Sequence, residues 1–243
     1  MSSKINFEGA VVPVSAARVT VQEKIYADLR MSLMRGRFDP GQPMVIQALA
    51  SAYGTSPMPV REAVRQLVAE NGLKSLPNGT VQVPQVSEDK LHDLCEARLA
   101  LEGLATSLAC EHMTTATLRK LKGLIAEHEH AMEDDGIYTS LDKNQEFHFL
   151  IYATSRSTVL PPLIESLWLQ YGPYMRFISR HLGSQVIESL RSNGTDFHHL
   201  LLEAFEKRNP AAARAAMESD IRRTTNMLSD LLKSGAHTTD PQT

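Results

Sequence analysis

GTSPMPVREAVRQLVAENG, residues 54 to 72, sets two prolines, Pro57 and Pro59, directly ahead of an amphipathic stretch that carries Arg61 and Arg65. Proline breaks a helix only in its interior. The first backbone N–H groups of a helix have no intrahelical acceptor, and proline's fixed φ suits the first turn, so the pair marks a helix start. Ser56 then falls at the N-cap, where its hydroxyl can accept from the N–H of Met58, and Gly72 is placed to end the helix. At about 100° per residue, Val60, Val64, Leu67 and Val68 form an apolar stripe, while Met58, Arg61, Glu62 and Arg65 share another face. The spacing predicts a helix that packs by one face and offers its arginines by the other.

The flanking sequence gives this helix a context. Thr20 and Glu23 have capping-box spacing, and Val21, Ile25, Leu29 and Leu33 recur every four residues, predicting a helix from about Val21 to Arg35. Gly36 and Asp39-Pro40-Gly41 stop it, a second helix follows near Ile46 to Tyr53, and Gly54-Thr55 turns out of it. Downstream, Leu73 to Leu76 and Thr80 to Val83 flank Asn78-Gly79, a dipeptide suited to the positive φ values of a two-residue hairpin turn. Three helices and a hairpin make a winged helix-turn-helix, whose third helix enters the DNA major groove by its N-terminal end. Arginine is well matched to guanine edges and phosphates there. An arginine on a helix face is by itself ordinary surface; the turn, the proline-defined start and the Asn-Gly wing together carry the DNA reading.

The whole chain, 243 residues with 42% hydrophobic and 22% charged, has an ordinary globular composition with room for two domains. Its apolar runs are too short for a membrane span and no basic leader precedes one, which predicts a cytoplasmic protein with no membrane partner. Cys95 and Cys110 lack metal-type spacing and read as buried free thiols. Charge divides unevenly: before Ser87, nine Lys or Arg face six Asp or Glu, and from Ser87 onward sixteen face twenty-two. All nine histidines lie in that acidic second part. Two modules with different partners are implied.

Ser87 is a good N-cap, and beyond it the strand signal disappears. Leu91, Leu94, Cys95, Leu99, Leu101, Leu104 and Leu108 predict one long helix to about Cys110. Further helices are expected from about Thr117 to Met132, after Gly136 through Ile151, and after Pro161-Pro162 to about Ser179 with a kink or break at Gly172-Pro173. A short segment around Val186 to Leu190, a helix from about Thr195 to Lys207 and a last helix to about Lys233, capped by Asn209-Pro210, complete an all-α bundle. The fold class is therefore mainly α: a winged helix-turn-helix over residues 20–84, a helical bundle over 87–233, a flexible arm at 1–19 and a disordered tail at 234–243.

Asn144 and His148 are i,i+4 neighbours, so both reach one spot. His198 opens the penultimate helix and Asp220 lies within the last, each near an apolar stripe, and inward polar groups from different helices are what a metal or anion site in a bundle needs. Of the adjacent pair His198 and His199 only one can face that spot, and His198 fits better. His128 and His130 diverge and receive no ligand role. Such spacing is weak by itself, since a helical histidine is more often hydrogen-bonded or at the surface.

PVREAVRQLVAENGL, preceded by LASAYGTS and a DPG turn, resembles the DNA-binding domain of GntR-type bacterial transcription regulators. That resemblance implies contact with a double-stranded DNA operator by Arg61 and by the wing tip, Asn78 and Gly79, with Arg65, Ser56 and Met58 nearby on the same helix. The family's usual arginine two residues ahead of the motif's proline is Pro57 here, and its basic or polar contact at the start of the middle helix falls on Gln47. EARLALEGLATSLA, NQEFHFLIYATS and HLLLEAFEKRNPAAARAAMESDI resemble the FCD effector-binding domain of the FadR-like branch. Members there hold a divalent metal such as zinc or nickel with an Asp or Asn, then three histidines. Mapped onto this chain the set becomes Asn144, His148, His198 and Asp220, the last replacing a histidine. The resemblance further implies that Arg98 faces the pocket and engages a small carboxylate effector, with Tyr152 and Arg176 as further pocket candidates. The expectation is a homodimeric, effector-controlled DNA-binding regulator of the repressor kind. The alternatives are a metal-dependent hydrolase built on His148, His198 and Asp220, and a DNA-binding protein blind to effectors.

Overall fold

The computed structural model describes residues 19–133, 136–181 and 194–235. The expected arm, the tail beyond residue 235 and the short segment at 186–190 lie outside the described residues. Three helices, α1 (Val21–Met34), α2 (Ile46–Ala52) and α3 (Pro57–Ala69), precede a hairpin of β1 (Lys74–Ser75) and β2 (Val81–Gln82). Then follow α4 (Glu88–His112), α5 (Thr115–Glu133), α6 (Ile137–Thr154), α7 (Leu160–His181), α8 (Asp196–Glu206) and α9 (Pro210–Gly235). The last helix thus continues past Lys233, and Ser234 is still helical, its hydroxyl donating to the Leu231 carbonyl.

Local chemistry explains most of the boundaries. The capping box of α1 forms: Thr20 Oγ1 accepts from the Glu23 N–H while the Glu23 carboxylate accepts from the Thr20 N–H. Pro57 opens α3, but the Ser56 side chain makes no cap hydrogen bond. Pro59 has no N–H at the third helical position, so one of the two donors a serine cap ordinarily binds is missing. At the other end α3 stops at Ala69, and Asn71 rather than Gly72 adopts the left-handed conformation, with φ 60°. Gly72 serves packing instead: a Cβ there would lie 2.7 Å from the Leu169 side chain of α7. The wing also departs from expectation. Leu76 N–H donates to the Thr80 carbonyl and Gly79 N–H to the Leu76 carbonyl, so the connection is Pro77-Asn78-Gly79, three residues with only Gly79 at positive φ. Proline supplies the fixed φ of a first turn position and glycine the left-handed residue that follows.

The head packs Ile25, Leu29 and Leu33 of α1 against Val60, Ala63, Val64 and Leu67 of α3, all buried. A fully buried leucine such as Leu67 contributes about 1.5–3 kcal/mol. In the bundle α4 is the central helix, lying against α9, α7 and α6. Helix α7 does not break at Gly172-Pro173. That site is instead where α7 meets α1: a Cβ on Gly172 would come within 1.9 Å of the Leu33 carbonyl oxygen. Charged pairs surround this crossing. Arg30 binds Glu70 at 3.3 Å and Glu165 at 2.8 Å, Arg37 binds Asp142 at 2.8 Å, and Arg35 reaches Gln145 at 3.1 Å. The Arg176 guanidinium reaches Asp39 at 2.5 Å, with Arg180 3.3 Å from the same carboxylate.

Candidate functional site

The head residues expected to meet DNA are open to solvent. Arg61, Arg65, Ser56, Met58, Gln47, Asn78 and Gly79 are all exposed. Arg61, Arg65 and Gly79 border one open depression between α3 and the hairpin, so helix and wing present to the same partner. Arg65 is paired with Glu62 at 2.8 Å, whereas Arg61 has no ion pair among the described residues. Asn78 Oδ1 accepts from the Thr80 N–H, which holds the wing tip in shape.

In the bundle, α4, α5, α6, α7 and α9 line a half-open cavity of about 70 Å³. Three donors from three helices meet beside it. His148 Nε2 on α6 lies 3.3 Å from Asp220 Oδ2 on α9, and His198 Nε2 on α8 lies 3.8 Å from the same oxygen. One ligand atom from each residue lies within 4.8 Å of the others, and all three residues are buried. Tetrahedral coordination at the usual bond lengths needs donors about 3.4 Å apart. Both ring nitrogens of His198 are buried without a hydrogen-bond partner, and a cation bound at Nε2 would offset part of that cost. The residues present therefore fit a divalent metal, and Asn144, one turn before His148, lines the same cavity.

The electrostatics agree. Burial alone would raise the Asp220 carboxyl, but the hydrogen bond from His148 and the Arg223 charge hold it well below the usual carboxylate range. Burial pushes His198 well below its ordinary value, so it stays neutral and available as a ligand. Behind the donors runs a buried polar chain. Tyr152 Oη lies 3.2 Å from His148 Nδ1 and donates to Glu102 Oε2, and Glu102 Oε1 accepts from Arg98 Nε at 2.7 Å and Trp168 Nε1 at 3.2 Å. Arg98 is sandwiched against Tyr171 and Trp168, its guanidinium carbon 4.2 and 5.2 Å from their ring centroids. Its Nη1 is buried and has no hydrogen-bond partner.

Each expected residue can now be located. His148, His198 and Asp220 come together, Asn144 and Arg98 line the adjoining cavity, and Tyr152 lies behind His148, in contact with that ring rather than in the cavity lining. Arg176 does not line the cavity: Asp39 draws it to the boundary between head and bundle. His128, given no role from its spacing, does line it, with its ring centroid 5.5 Å from that of His198 and its Nδ1 unbonded. Burial, then the His148 charge, lowers the His128 pKa to about 4. Glu102 was also missed, although its i,i+4 spacing to Arg98 was readable.

A winged head joined to a helical bundle with a cavity beside a buried donor cluster has the build of a ligand-responsive DNA-binding protein. The chain belongs to the GntR family of bacterial regulatory proteins, whose model matches residues 21–83, and it carries an FCD domain matched over residues 93–223. Among curated proteins it is similar to the HTH-type transcriptional regulator McbR of Escherichia coli (strain K12), 29% identical over 196 residues, covering 81% of this chain and 87% of that one. It is also similar to the HTH-type transcriptional repressor GlaR of the same organism, 28% identical over 201 residues, covering 81% of this chain and 90% of that one. The solved structure of E. coli McbR/YncC superposes with a TM-score of 0.83 at 27% identity, covering 88% of this chain and all of that one. The protein is a DNA-binding transcription regulator with a small-molecule effector domain, not an enzyme, and the hydrolase alternative falls. Among the described residues no helix is long and apolar enough to cross a membrane.

Proposed function

We propose that the protein is a cytoplasmic repressor that binds a palindromic operator as a homodimer and responds to a small organic acid in a metal-containing cavity. In this reading the head spans residues 20–84 and the effector bundle 87–233. The observation that carries it is the meeting of His148, His198 and Asp220 beside an arginine, Arg98, whose Nη1 lacks a partner. His148, His198 and Asp220, with Asn144, would hold zinc or nickel, and Arg98 would take the effector carboxylate. When bound, the metal supplies a Lewis acid for an effector oxygen. Two imidazoles and one carboxylate suit either ion.

Helix α6 supports the transmission step. Its cavity side carries Asn144 and His148, while Asp142 and Gln145 grip Arg37 and Arg35 of the head. A ligand that favours one placement of α6 thereby favours one placement of the head, and only that difference in affinity shifts operator binding. Dimerisation follows the same logic, because one recognition helix reads few base pairs and two half-sites multiply discrimination. Elemental analysis of the purified protein beside His148→Ala and Asp220→Ala tests the metal. Near-stoichiometric metal in the wild type, lost in both variants, is expected; no metal after incubation with zinc or nickel removes it from the account.

A further inference from the structure

The cavity wall changes character along its length, and in the same sense on three helices. On α6 the lining runs from His148 and Asn144 back to Leu141; on α7 it runs from Trp168 forward to Met175 and Ile178; on α9 it runs from Asp220 forward to Met227. The polar ends coincide, since the His148 ring lies 5.7 Å from Trp168 and 3.3 Å from the Asp220 carboxylate. The apolar ends coincide as well: Leu141 and Met227 pack into one cluster with Met175 and Ile178. From Asp220 to Met227 is seven residues, a helical rise of about 10 Å.

This gradient constrains what can bind. At the donor end, Arg98 Nη1 is buried and unpartnered, so an anionic, oxygen-rich head is satisfied there. At the far end, Leu141, Met175, Ile178 and Met227 provide no hydrogen-bonding side chain and Ser140 contributes one hydroxyl, so a second carboxylate or a run of hydroxyls would be desolvated with little compensation. Thioether side chains adapt to tails of differing shape. We propose that the effector is an amphipathic monocarboxylate, a 2-hydroxy or 2-oxo acid whose oxygens sit at Arg98 and the donor cluster while an unbranched apolar tail lies along Leu141, Met175 and Met227. The proposal rests on the reading of this cavity as the effector site and adds the chemical class of its ligand.

The test is a calorimetric and thermal-shift series on the full, zinc-loaded chain with straight-chain 2-hydroxy acids from glycolate to 2-hydroxydecanoate, beside malate, citrate and gluconate. Affinity is expected to rise roughly fourfold per methylene until the tail fills the channel, with the polyacids and the sugar acid weaker than the mid-length members. Leu141→Asn and Met227→Asn should each flatten that slope, their folded state being checked by circular dichroism. Acids that bind without chain-length dependence, or citrate or gluconate binding tightest, overturn the tail assignment while leaving the effector site standing. No binding by any acid in the series overturns both.

Discussion

Tyr152 Oη lies 3.2 Å from His148 Nδ1 and 2.5 Å from Glu102 Oε2. The phenol O–H donates to the carboxylate, so the phenol oxygen is left to accept from His148 Nδ1–H. That keeps a proton on Nδ1, so Nε2, the atom facing Asp220, is the one a metal would take. Burial and the Glu102 charge hold the phenol protonated well beyond its ordinary range. Tyr152→Phe should lower zinc affinity by about 10–100-fold, read by competition with a chromophoric chelator. Unchanged affinity would mean that the phenol does not orient His148.

Glu102 is fully buried and binds Arg98, Trp168 and Tyr152 at once. Glu102→Ala leaves Arg98 charged and unpaired in the interior and should cost about 3–5 kcal/mol, measured by urea unfolding. The double variant Arg98→Met/Glu102→Leu should recover much of that loss while abolishing acid binding. Equal destabilisation of single and double variants would argue against an uncompensated charge as the cause.

Arg61 is exposed on α3 beside the wing and makes no structural ion pair among the described residues. Arg61→Ala should leave stability within about 0.5 kcal/mol of the wild type and weaken operator binding by about 1–3 kcal/mol, read by fluorescence anisotropy at fixed salt. Operator affinity unaltered by this change would remove Arg61 from the interface.

The Asp39 carboxyl is held below its ordinary value of 3.8, chiefly by the Arg176 hydrogen bond. A carboxyl depressed in the folded state contributes stability that is present above its unfolded value and lost as pH falls through the folded one. The attachment between head and bundle should therefore persist at neutral pH and weaken below about pH 4. Hydrogen exchange along residues 35–42 at neutral and acidic pH would report it. Asp39→Asn should raise exchange there already at pH 7; protection equal to the wild type would show that the pair contributes nothing to docking.

The head was legible because its signals are local. A capping box, a proline at the first helical turn and an Asn-Gly pair each act within a few residues, and α1, α3 and the hairpin lie where those signals put them. The bundle hid more. Apolar periodicity on α4 pointed Leu104 inward, yet it is 41% exposed while Arg98, Glu102 and Thr106 are buried. No pattern in one helix reveals that a buried charged face is matched by Tyr152 and Trp168 from two others. That His128 lines the cavity and Arg176 does not was hidden for the same reason. Sequence spacing states which face a side chain shares with its own neighbours, not which helix lies opposite. Gly72 and Gly172 resembled a terminator and a breaker because their reason for being glycine, close approach to Leu169 and to Leu33, belongs to other elements.

Gly172 has one more consequence. The chain enters the bundle at Ser87, whose N–H and carbonyl both bind the Tyr174 hydroxyl, at 3.2 and 2.9 Å. The covalent link and the crossing with α1 therefore meet α7 only two residues apart, which makes the middle of α7 a ball joint, with the arginine pairs as guy-ropes around it. A socket of backbone contact is indifferent to ionic strength, but guy-ropes of charge slacken in it. Added electrolyte should thus act on this regulator twice, once at the phosphates and once by letting the head swing, so a steep salt dependence of operator binding would count more than the arginines that touch DNA.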